Sequence, residues 1–303
     1  MKKAIISKRR ISDAFKTGKA LINALFSHQS IVKQTCGIYI YRIKRQVLEM
    51  NIVAIIQARM GSTRLPGKTM MKILGKPMLW YSVARAKAAK SISRVVVATT
   101  TEERDRPIFD YCTKNGIDCY RGSEQDVLDR YYQAAKIFKA DTIVRVTSDC
   151  PLVDPNVIDL ALKGLNGGKY DYVKTGKSWP NGIGTVEIAG FGVLERAWRD
   201  AKLPGEREHV MPYIYTHPEL FKIKTIDYKK DCSGIVLSVD TKPQLEAVAK
   251  IIGALGKGGL SFTTADILAY LKKNPAVLKS LEGIGRRGPE QYIRDMKGKG
   301  KLR

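Results

Sequence analysis

Hydrophobic residues follow the chain from Met50 onward in blocks whose spacing alternates between that of buried strands and that of helices. The first block, Ile52 to Ile56, is a run of five apolar residues, which is typical of a central strand buried on both faces. Strand and helix patterns then alternate along the chain. This alternation predicts an α/β fold that is Rossmann-like, with a mixed, mostly parallel sheet flanked by helices.

The predicted elements cover most of the chain after Met50. The strands are expected at Ile52–Gln57, Arg94–Thr99, near Cys119 and Tyr120, and at Thr142–Thr147, Tyr170–Thr175, Thr185–Ala189, Phe221–Tyr228 and Ile235–Val239. The helices are expected from about Pro77 and at Glu103–Lys114, Glu124–Phe138, Val193–Ala201, Pro243–Ile252 and Thr264–Tyr270. Strand Thr142–Thr147 delivers Ser148 and Asp149 at its carboxyl end.

The pattern also predicts the domain organisation. One α/β domain, large enough for an enzyme, is expected over residues 50–285, followed by a basic tail over residues 286–303. Residues 1–49 hold eleven Lys and Arg against Asp13 and Glu49, without a turn pattern or a cleavage-type signal. We expect this extension to lie outside the core, either as a translated upstream region or as a basic amphipathic arm.

Composition narrows the class of protein. The chain has 303 residues, 44% of them hydrophobic, and no apolar run approaches the roughly 18 residues that a membrane helix needs. A cytoplasmic enzyme without a membrane span is therefore expected. Five scattered cysteines without a C-x-x-C pair and only three histidines argue against a zinc or dithiol site. Any metal should have oxygen ligands.

The formal net charge of +24 raises the alternative of a polyanionic partner such as nucleic acid. Much of this charge lies in the two ends of the chain, residues 1–49 and 286–303. The positive charge that remains on the central residues suits an enzyme that acts on phosphorylated substrates. The charge distribution therefore argues against nucleic-acid binding as the main function.

A basic loop punctuated by glycines, QARMGSTRLPGK at residues 57–68, follows the first predicted strand directly. The planar guanidinium groups of Arg59 and Arg64 and the mobile ammonium of Lys68 can bind phosphate oxygens. Two glycines permit the backbone to approach a ligand closely. The loop matches neither the P-loop nor the dinucleotide pattern. A solvated basic turn is the alternative, but ligands bind at the carboxyl ends of strands in open α/β sheets, which favours a triphosphate site.

The same loop resembles the amino-terminal signature of the CMP-sugar synthetases, the family of the KDO and acylneuraminate cytidylyltransferases. The likeness is closest to the spore coat polysaccharide biosynthesis protein F type. Further runs agree in order, namely VVVATTTEERD, YRGSEQDVLDRYYQAA, IVRVTSDCPLVDP, EREHVMPYIYTHPELF and LSVDTKPQLE. The resemblance implies a nucleotide-diphospho-sugar transferase fold, CTP as donor, a sugar acceptor and Mg²⁺ as cofactor. Because dimers are common in the family, a homodimer is also expected.

The resemblance assigns roles to matching positions. Arg59 and Lys68 would hold the triphosphate and, together with Asp149, would be catalytic. The implied nucleotide-binding set is Gln57, Ala58, Arg59, Gly61, Ser62, Arg64, Lys68, Ala98, Thr99, Ser123, Asp126 and Arg130. Asp126 and Asp129 have a second interpretation, because acidic residues also begin helices.

Asp149 and Asp240 match the metal-binding aspartates of the family. Each follows an apolar predicted strand, and carboxylates are ligands that suit Mg²⁺. The alternative for both is a turn or helix-capping role beside a proline. Their convergence on one ion is implied by the family and not by spacing.

The acceptor side is less defined. Glu187, Glu206 and His209 are candidates for contact with the sugar, although a single histidine beside acids is more often a surface or structural residue. The segment WPNGIGTVEI follows the family loosely, with Gly184 and Thr185 where an acidic residue is expected. This departure leaves the acceptor open.

Three functions are therefore weighed. The favoured one is a cytidylyltransferase that joins CMP from CTP to an acidic or otherwise modified sugar, for surface polysaccharide synthesis, and releases pyrophosphate. The second is a glycosyltransferase or another nucleotidyltransferase on the same fold. The third is a polyanion-binding protein that acts through its basic ends.

Overall fold

A seven-stranded sheet forms the centre of the residues that the computed structural model describes, residues 50–283. The predicted extension at residues 1–49 and the predicted tail at residues 286–303 lie outside the described residues. The strands are β1 (Ile52–Gln57), β2 (Lys72–Ile73), β3 (Lys76–Pro77), β4 (Arg94–Thr100), β5 (Asp118–Gly122), β6 (Thr142–Thr147), β7 (Tyr172–Thr175), β8 (Glu187–Gly190) and β9 (Ile223–Ile226). The short strands β2 and β3 form a separate hairpin.

Helices fill the connections between these strands. They are α1 (Met78–Lys87), α2 (Arg106–Lys114), α3 (Val127–Ile137), α4 (Pro155–Gly164), α5 (Phe191–Asp200), α6 (Pro204–His209), α7 (Pro212–Thr216), α8 (Lys242–Leu255), α9 (Thr264–Lys273) and α10 (Pro275–Lys279). Among the described residues, none of these helices has both the length and the apolar character needed to span a membrane.

The order of the strands creates a binding edge. The sheet runs β5-β4-β1-β6-β8-β7-β9, and β1 pairs in parallel with both β4 and β6, while β8 is antiparallel to its neighbours. The sheet is therefore mixed and mostly parallel, as predicted. The chain moves outward from β1 to β5 and returns to β6 on the other side of β1. The carboxyl ends of β1 and β6 consequently form a topological switch point, where such sheets bind ligands.

Both faces of β1 are buried, which explains its uninterrupted apolar sequence. Val53 and Ile55 pack on one side with the residues of α3, whereas Ala54 and Ile56 pack on the other side with those of α1 and α4. A third apolar cluster joins α1 to α8 and α9. Because helices cover both faces, the binding edge is the part of the central strands that remains open.

Some predicted elements differ from the structure. The expected strand at Ile235–Val239 is wrong, because this segment makes a single bridge between Val236 and Asn181 and otherwise has no strand pairing. Leu237 and Val239 of this segment are buried in the third cluster, and Ile235 packs against it. Helices α4, α6, α7 and α10 were not predicted. Each begins with a proline, which is favoured in a first helical turn but also resembles a loop signal.

A buried arginine ties the end of the described chain to the sheet. Arg85 in α1 is fully buried and donates hydrogen bonds to the carbonyls of Val153 at 2.8 Å, Leu260 at 2.7 Å and Phe262 at 2.9 Å. Burial lowers the pKa of Arg85 to about 10, so the group stays charged at neutral pH. The guanidinium therefore joins α1, the loop after β6 and the segment before α9.

Candidate active site

A cleft of about 790 Å³ opens at the switch point between β1 and β6. The basic loop leaves the end of β1 on one side, and the loop that carries Asp149 leaves the end of β6 on the other. Arg59, Lys68, Asp149 and Asp240 all line this cleft. The structure thus brings the predicted phosphate loop and the two predicted carboxylates to one place.

The basic loop is held in shape by backbone contacts. The amide of Met60 donates to Asp105 Oδ1 at 2.6 Å, and the hydroxyl of Thr69 donates to the carbonyl of Arg59 at 3.0 Å. Gly67 has a φ of 71°, a left-handed conformation that favours glycine. Arg59 and Arg64 are exposed to the cleft. Their guanidinium groups are therefore accessible to an anionic ligand.

Lys68 joins the two predicted metal-binding carboxylates. Its Nζ donates to Asp240 Oδ1 at 2.7 Å, to Asp149 Oδ2 at 3.2 Å and to the carbonyl of Val239 at 2.7 Å. Burial alone would lower the pKa of Lys68, but the charges and hydrogen bonds of the two aspartates outweigh it and raise the pKa. The ammonium is therefore charged at neutral pH.

Asp149 remains ionised in the same cluster. Burial would raise its pKa, but the charge of Lys68 and hydrogen bonds from Thr147, Lys68 and Cys150 hold the pKa below its usual range. The capping alternative for Asp240 does not describe its side chain, because Thr241 is the N-cap residue of α8. Asp240 instead pairs with Lys68 and, at 2.8 Å, with Arg64.

Four residues predicted to border the base are not among those that line the cleft. Ala98 and Thr99 are fully buried in β4, and the Ser123 hydroxyl accepts the amide of Asp126 at 3.0 Å. Asp126 is the N-cap of α3 and accepts the amide of Asp129 at 2.8 Å. The helix-start interpretation is therefore the one the structure supports for Asp126.

The other members of the predicted nucleotide set face the cleft. Those that line it are Gln57, Ala58, Arg59, Gly61, Ser62, Arg64, Lys68 and Arg130. Arg130 is 1% exposed and donates to the carbonyl of Ser123 at 2.6 Å. Most residues of the basic loop thus form one wall of the cleft beside β1.

The acceptor candidates separate into two groups. Glu187 and His209 line the cleft, and Glu187 accepts hydrogen bonds from Arg145 and Tyr172. Glu206 does not line it. Its side chain is buried and accepts the amides of Lys202 and Leu203, each at 3.0 Å, so it caps α6. The prediction that Glu206 contacts the sugar is therefore wrong, because its carboxylate is used within the fold.

A strained turn follows His209. Val210 has a φ of 73° and a ψ of −57° and is fully buried. The amide of Met211 donates to the carbonyl of His209 at 2.9 Å, which makes a γ-turn of the rare, strained hand. A β-branched residue in this conformation is a genuine outlier, and such strain clusters at functional sites. The turn fixes the backbone beside a cleft residue.

Sequence reasoning missed several other residues that line the cleft. They are Arg145, Lys174, Lys177, Glu208, Asn181, Thr225, Asp227 and Ser238. Arg145 could have been found, because it is the one charged residue in the otherwise uncharged strand Thr142–Thr147. Lys174 lies in β7 and Asp227 directly follows the edge strand β9, and in such short strands polar residues carry no distinctive signal.

Comparison with known proteins identifies the family. Residues 53–252 match the cytidylyltransferase family. The chain is also 31% identical over 234 residues to the spore coat polysaccharide biosynthesis protein SpsF of Bacillus subtilis, which covers 74% of this chain and 95% of the relative. The chain belongs to the cytidylyltransferase family. The predicted resemblance and the predicted CTP-dependent nucleotidyltransferase class are thereby confirmed.

Two further relatives of this cytidylyltransferase extend the comparison. A solved cytidylyltransferase from Leptospira borgpetersenii is 34% identical, with a TM-score of 0.71, and covers 76% of this chain and 97% of its own. The predicted fold is therefore confirmed. A 3-deoxy-manno-octulosonate cytidylyltransferase of Brucella ovis is 39% identical over 133 residues, 42% of this chain and 51% of the relative. This last match covers only part of each protein.

Proposed function

We propose that this cytidylyltransferase transfers CMP from CTP to an acidic sugar, with Mg²⁺ as cofactor and pyrophosphate as the second product. The observation that carries the proposal is that one cleft contains both the cationic loop and the two carboxylates around Lys68. A cytoplasmic location and a homodimer remain predictions.

The donor end of the cleft suits a nucleotide triphosphate. Arg59, Arg64 and Lys68 place three cations beside the end of β1, and arginine and lysine bind phosphate oxygens through charge-assisted hydrogen bonds. Ser62 adds a hydroxyl to the same wall. These groups would stabilise the negative charge that grows on the leaving pyrophosphate.

The residues present fit a magnesium ion. Asp149 and Asp240 direct carboxylate oxygens towards the same point, which the Lys68 ammonium occupies. Mg²⁺ is commonly bound by one or two carboxylates, with phosphates and waters completing its coordination shell. Within residues 50–283 no cluster of three or more His, Cys, Asp or Glu is found that could hold a metal without a substrate. When bound, Mg²⁺ would supply positive charge to the phosphate oxygens.

The part of the cleft beside β6 and β7 suits an acidic sugar. Lys174 and Lys177 line it, and Arg145 is held by its pairing with Glu187. The octulosonate in the name of the Brucella relative is an acidic sugar. Cations at this end would attract the carboxylate of such an acceptor, while neutral and acidic side chains of the same wall bind hydroxyl groups.

The reaction follows from this arrangement. An oxygen of the sugar hydroxyl attacks the α-phosphorus of CTP, the bond from that phosphorus to the bridging oxygen breaks, and pyrophosphate leaves with the electron pair. The hydroxyl proton passes to solvent water. The cleft acts by positioning and charge, since this type of transfer needs no covalent enzyme intermediate.

The proposal is tested by measuring pyrophosphate release from CTP, ATP, GTP and UTP with a panel of acidic and neutral sugars. We expect release from CTP with an acidic sugar and none with the matched neutral sugar. Release with a neutral sugar alone would contradict the acidic acceptor, and release from another nucleotide alone would contradict CTP as the donor.

A pair of substitutions in α6 tests the acceptor wall. We expect His209→Asn to raise the KM for the sugar by about tenfold. The reason is that one hydrogen bond to a charged group, here the carboxylate of the sugar, contributes roughly a factor of ten to binding affinity. Glu206→Gln is the matched control in the same helix, and its amide oxygen can still cap α6. Steady-state kinetics with the sugar varied should leave this control unchanged. An unchanged KM in His209→Asn would remove His209 from the acceptor wall.

A further inference from the structure

All three donors of the Lys68 ammonium are in use. The group carries three N–H bonds, and it contacts three acceptors: Asp240 Oδ1, Asp149 Oδ2 and the carbonyl of Val239. The side chain is 11% exposed. Lys68 therefore has no N–H left for a phosphate oxygen while it occupies this position.

The position of Lys68 also conflicts with metal binding. A divalent cation held by Asp149 and Asp240 would need carboxylate oxygens that now accept from the ammonium, at 3.2 Å and 2.7 Å. A divalent cation on these carboxylates would lie close to the ammonium, and like charges at such short range repel strongly. The Lys68 contacts and metal binding therefore oppose each other.

The Lys68 ammonium also reduces the repulsion between the two carboxylates. Asp149 and Asp240 would repel each other in a partly buried cleft without a cation between them. Their side chains are only 27% and 25% exposed. A resident positive charge between them offsets this repulsion and holds the two carboxylates close together, so that the pair is arranged before any ligand arrives.

We propose that Lys68 is an internal counter-ion that occupies the metal position in the nucleotide-free protein and is exchanged for the metal when a polyphosphate arrives. The proposal rests on the proposed function, because the phosphates of the nucleotide are the new partners of the displaced ammonium. Metal binding is then coupled to nucleotide binding, and the coupling is reciprocal.

The test measures Mn²⁺ binding to the full chain without nucleotide, by the electron paramagnetic resonance signal of the free ion. Mn²⁺ is suited to the oxygen ligands that bind Mg²⁺. Two variants remove the ammonium: Lys68→Met, and Lys68→Gln, whose amide can still donate to Val239. We expect each to bind Mn²⁺ at least about tenfold more tightly than the wild type, because a competing charge-assisted contact is lost.

Arg59→Met is the matched control, since it removes an exposed cation from the same cleft. Among the described residues, the side chains that contact Asp149 or Asp240 as cations are Lys68 and Arg64. The control should therefore change Mn²⁺ affinity by less than about threefold, because exposed charges are screened by salt. Adding Asp149→Asn to Lys68→Met should abolish the gain in Mn²⁺ affinity, which would show that the ion binds at this carboxylate.

Two results would overturn the counter-ion role. One is an unchanged or weaker Mn²⁺ affinity in a folded Lys68 variant. The other needs no variant: a wild type that binds Mn²⁺ without nucleotide at a Kd below roughly 10 μM, as a preformed divalent site does. Failure of the proposed function is separate, because it would appear as absent pyrophosphate release in a wild type whose Lys68 variants still gain Mn²⁺ affinity.

Discussion

Asp149→Asn is expected to lower kcat by about 10² to 10³-fold, the usual cost of removing one preorganised group that stabilises transition-state charge. The substitution keeps the shape of the side chain, and its amide oxygen can still accept from Lys68. It removes the negative charge that we assign to the metal. The measurement is the rate of pyrophosphate release at saturating CTP and sugar.

The fold should survive this substitution. Lys68 retains Asp240 and the carbonyl of Val239 as partners, so the melting temperature should fall by no more than about 5 °C. Asp118→Asn is the control, since it makes the same chemical change in an exposed ion pair with Arg94 at the amino end of β5. Near-normal turnover in Asp149→Asn would remove this residue from the metal site.

Gly182→Ala should destabilise the fold strongly. Gly182 has a φ of 81°, and a Cβ there would lie 2.3 Å from the amide nitrogen of Ser238 and 2.6 Å from the carbonyl carbon of Leu237. Strain and overpacking each cost about 1 to 3 kcal/mol. We therefore expect a loss of roughly 3 kcal/mol or more in unfolding free energy, measured by denaturant titration.

The chain contains a matched control for the backbone strain. Gly75 has a φ of 82°, and no atom lies within 4 Å of a Cβ built on it. Gly75→Ala should cost only the left-handed conformation, about 1 to 2 kcal/mol. Equal losses in the two variants would show that the segment before Asp240 moves without resistance. Gly182→Ala should also reduce turnover, since this segment carries Asp240.

The fold could be predicted from the sequence where a pattern has one physical cause. β1 and β6 were predicted with their observed bounds, because central parallel strands need apolar residues on both faces. The Ile235–Val239 segment has the same composition for another reason, since it packs against helices. Hydrophobicity reports burial, and it does not report which backbone groups pair.

The site was predictable in part for the same reason. Lys68 and Asp149 follow strands whose carboxyl ends share one edge, so the rule for open α/β sheets brings them together. Asp240 follows no strand. Its segment is held at the binding edge of the sheet by a backbone hydrogen bond from the amide of Val239 to the carbonyl of Asp149, at 2.8 Å. A contact between segments so distant in sequence has no local signal. Asp126 and Glu206 were misassigned because capping and ligand binding use the same side chains.

The bonds of Arg85 have a consequence for how the protein is made. The ribosome releases the amino-terminal part of a chain first, so the basic loop, α1 and Asp149 emerge long before Leu260 and Phe262. Until those late residues are free, Arg85 has only one of its three carbonyl partners, and Lys68 has yet to meet Asp240. A growing chain therefore displays a phosphate loop before its catalytic centre is complete, and the centre can be completed only after the segment that holds Leu260 and Phe262 has emerged.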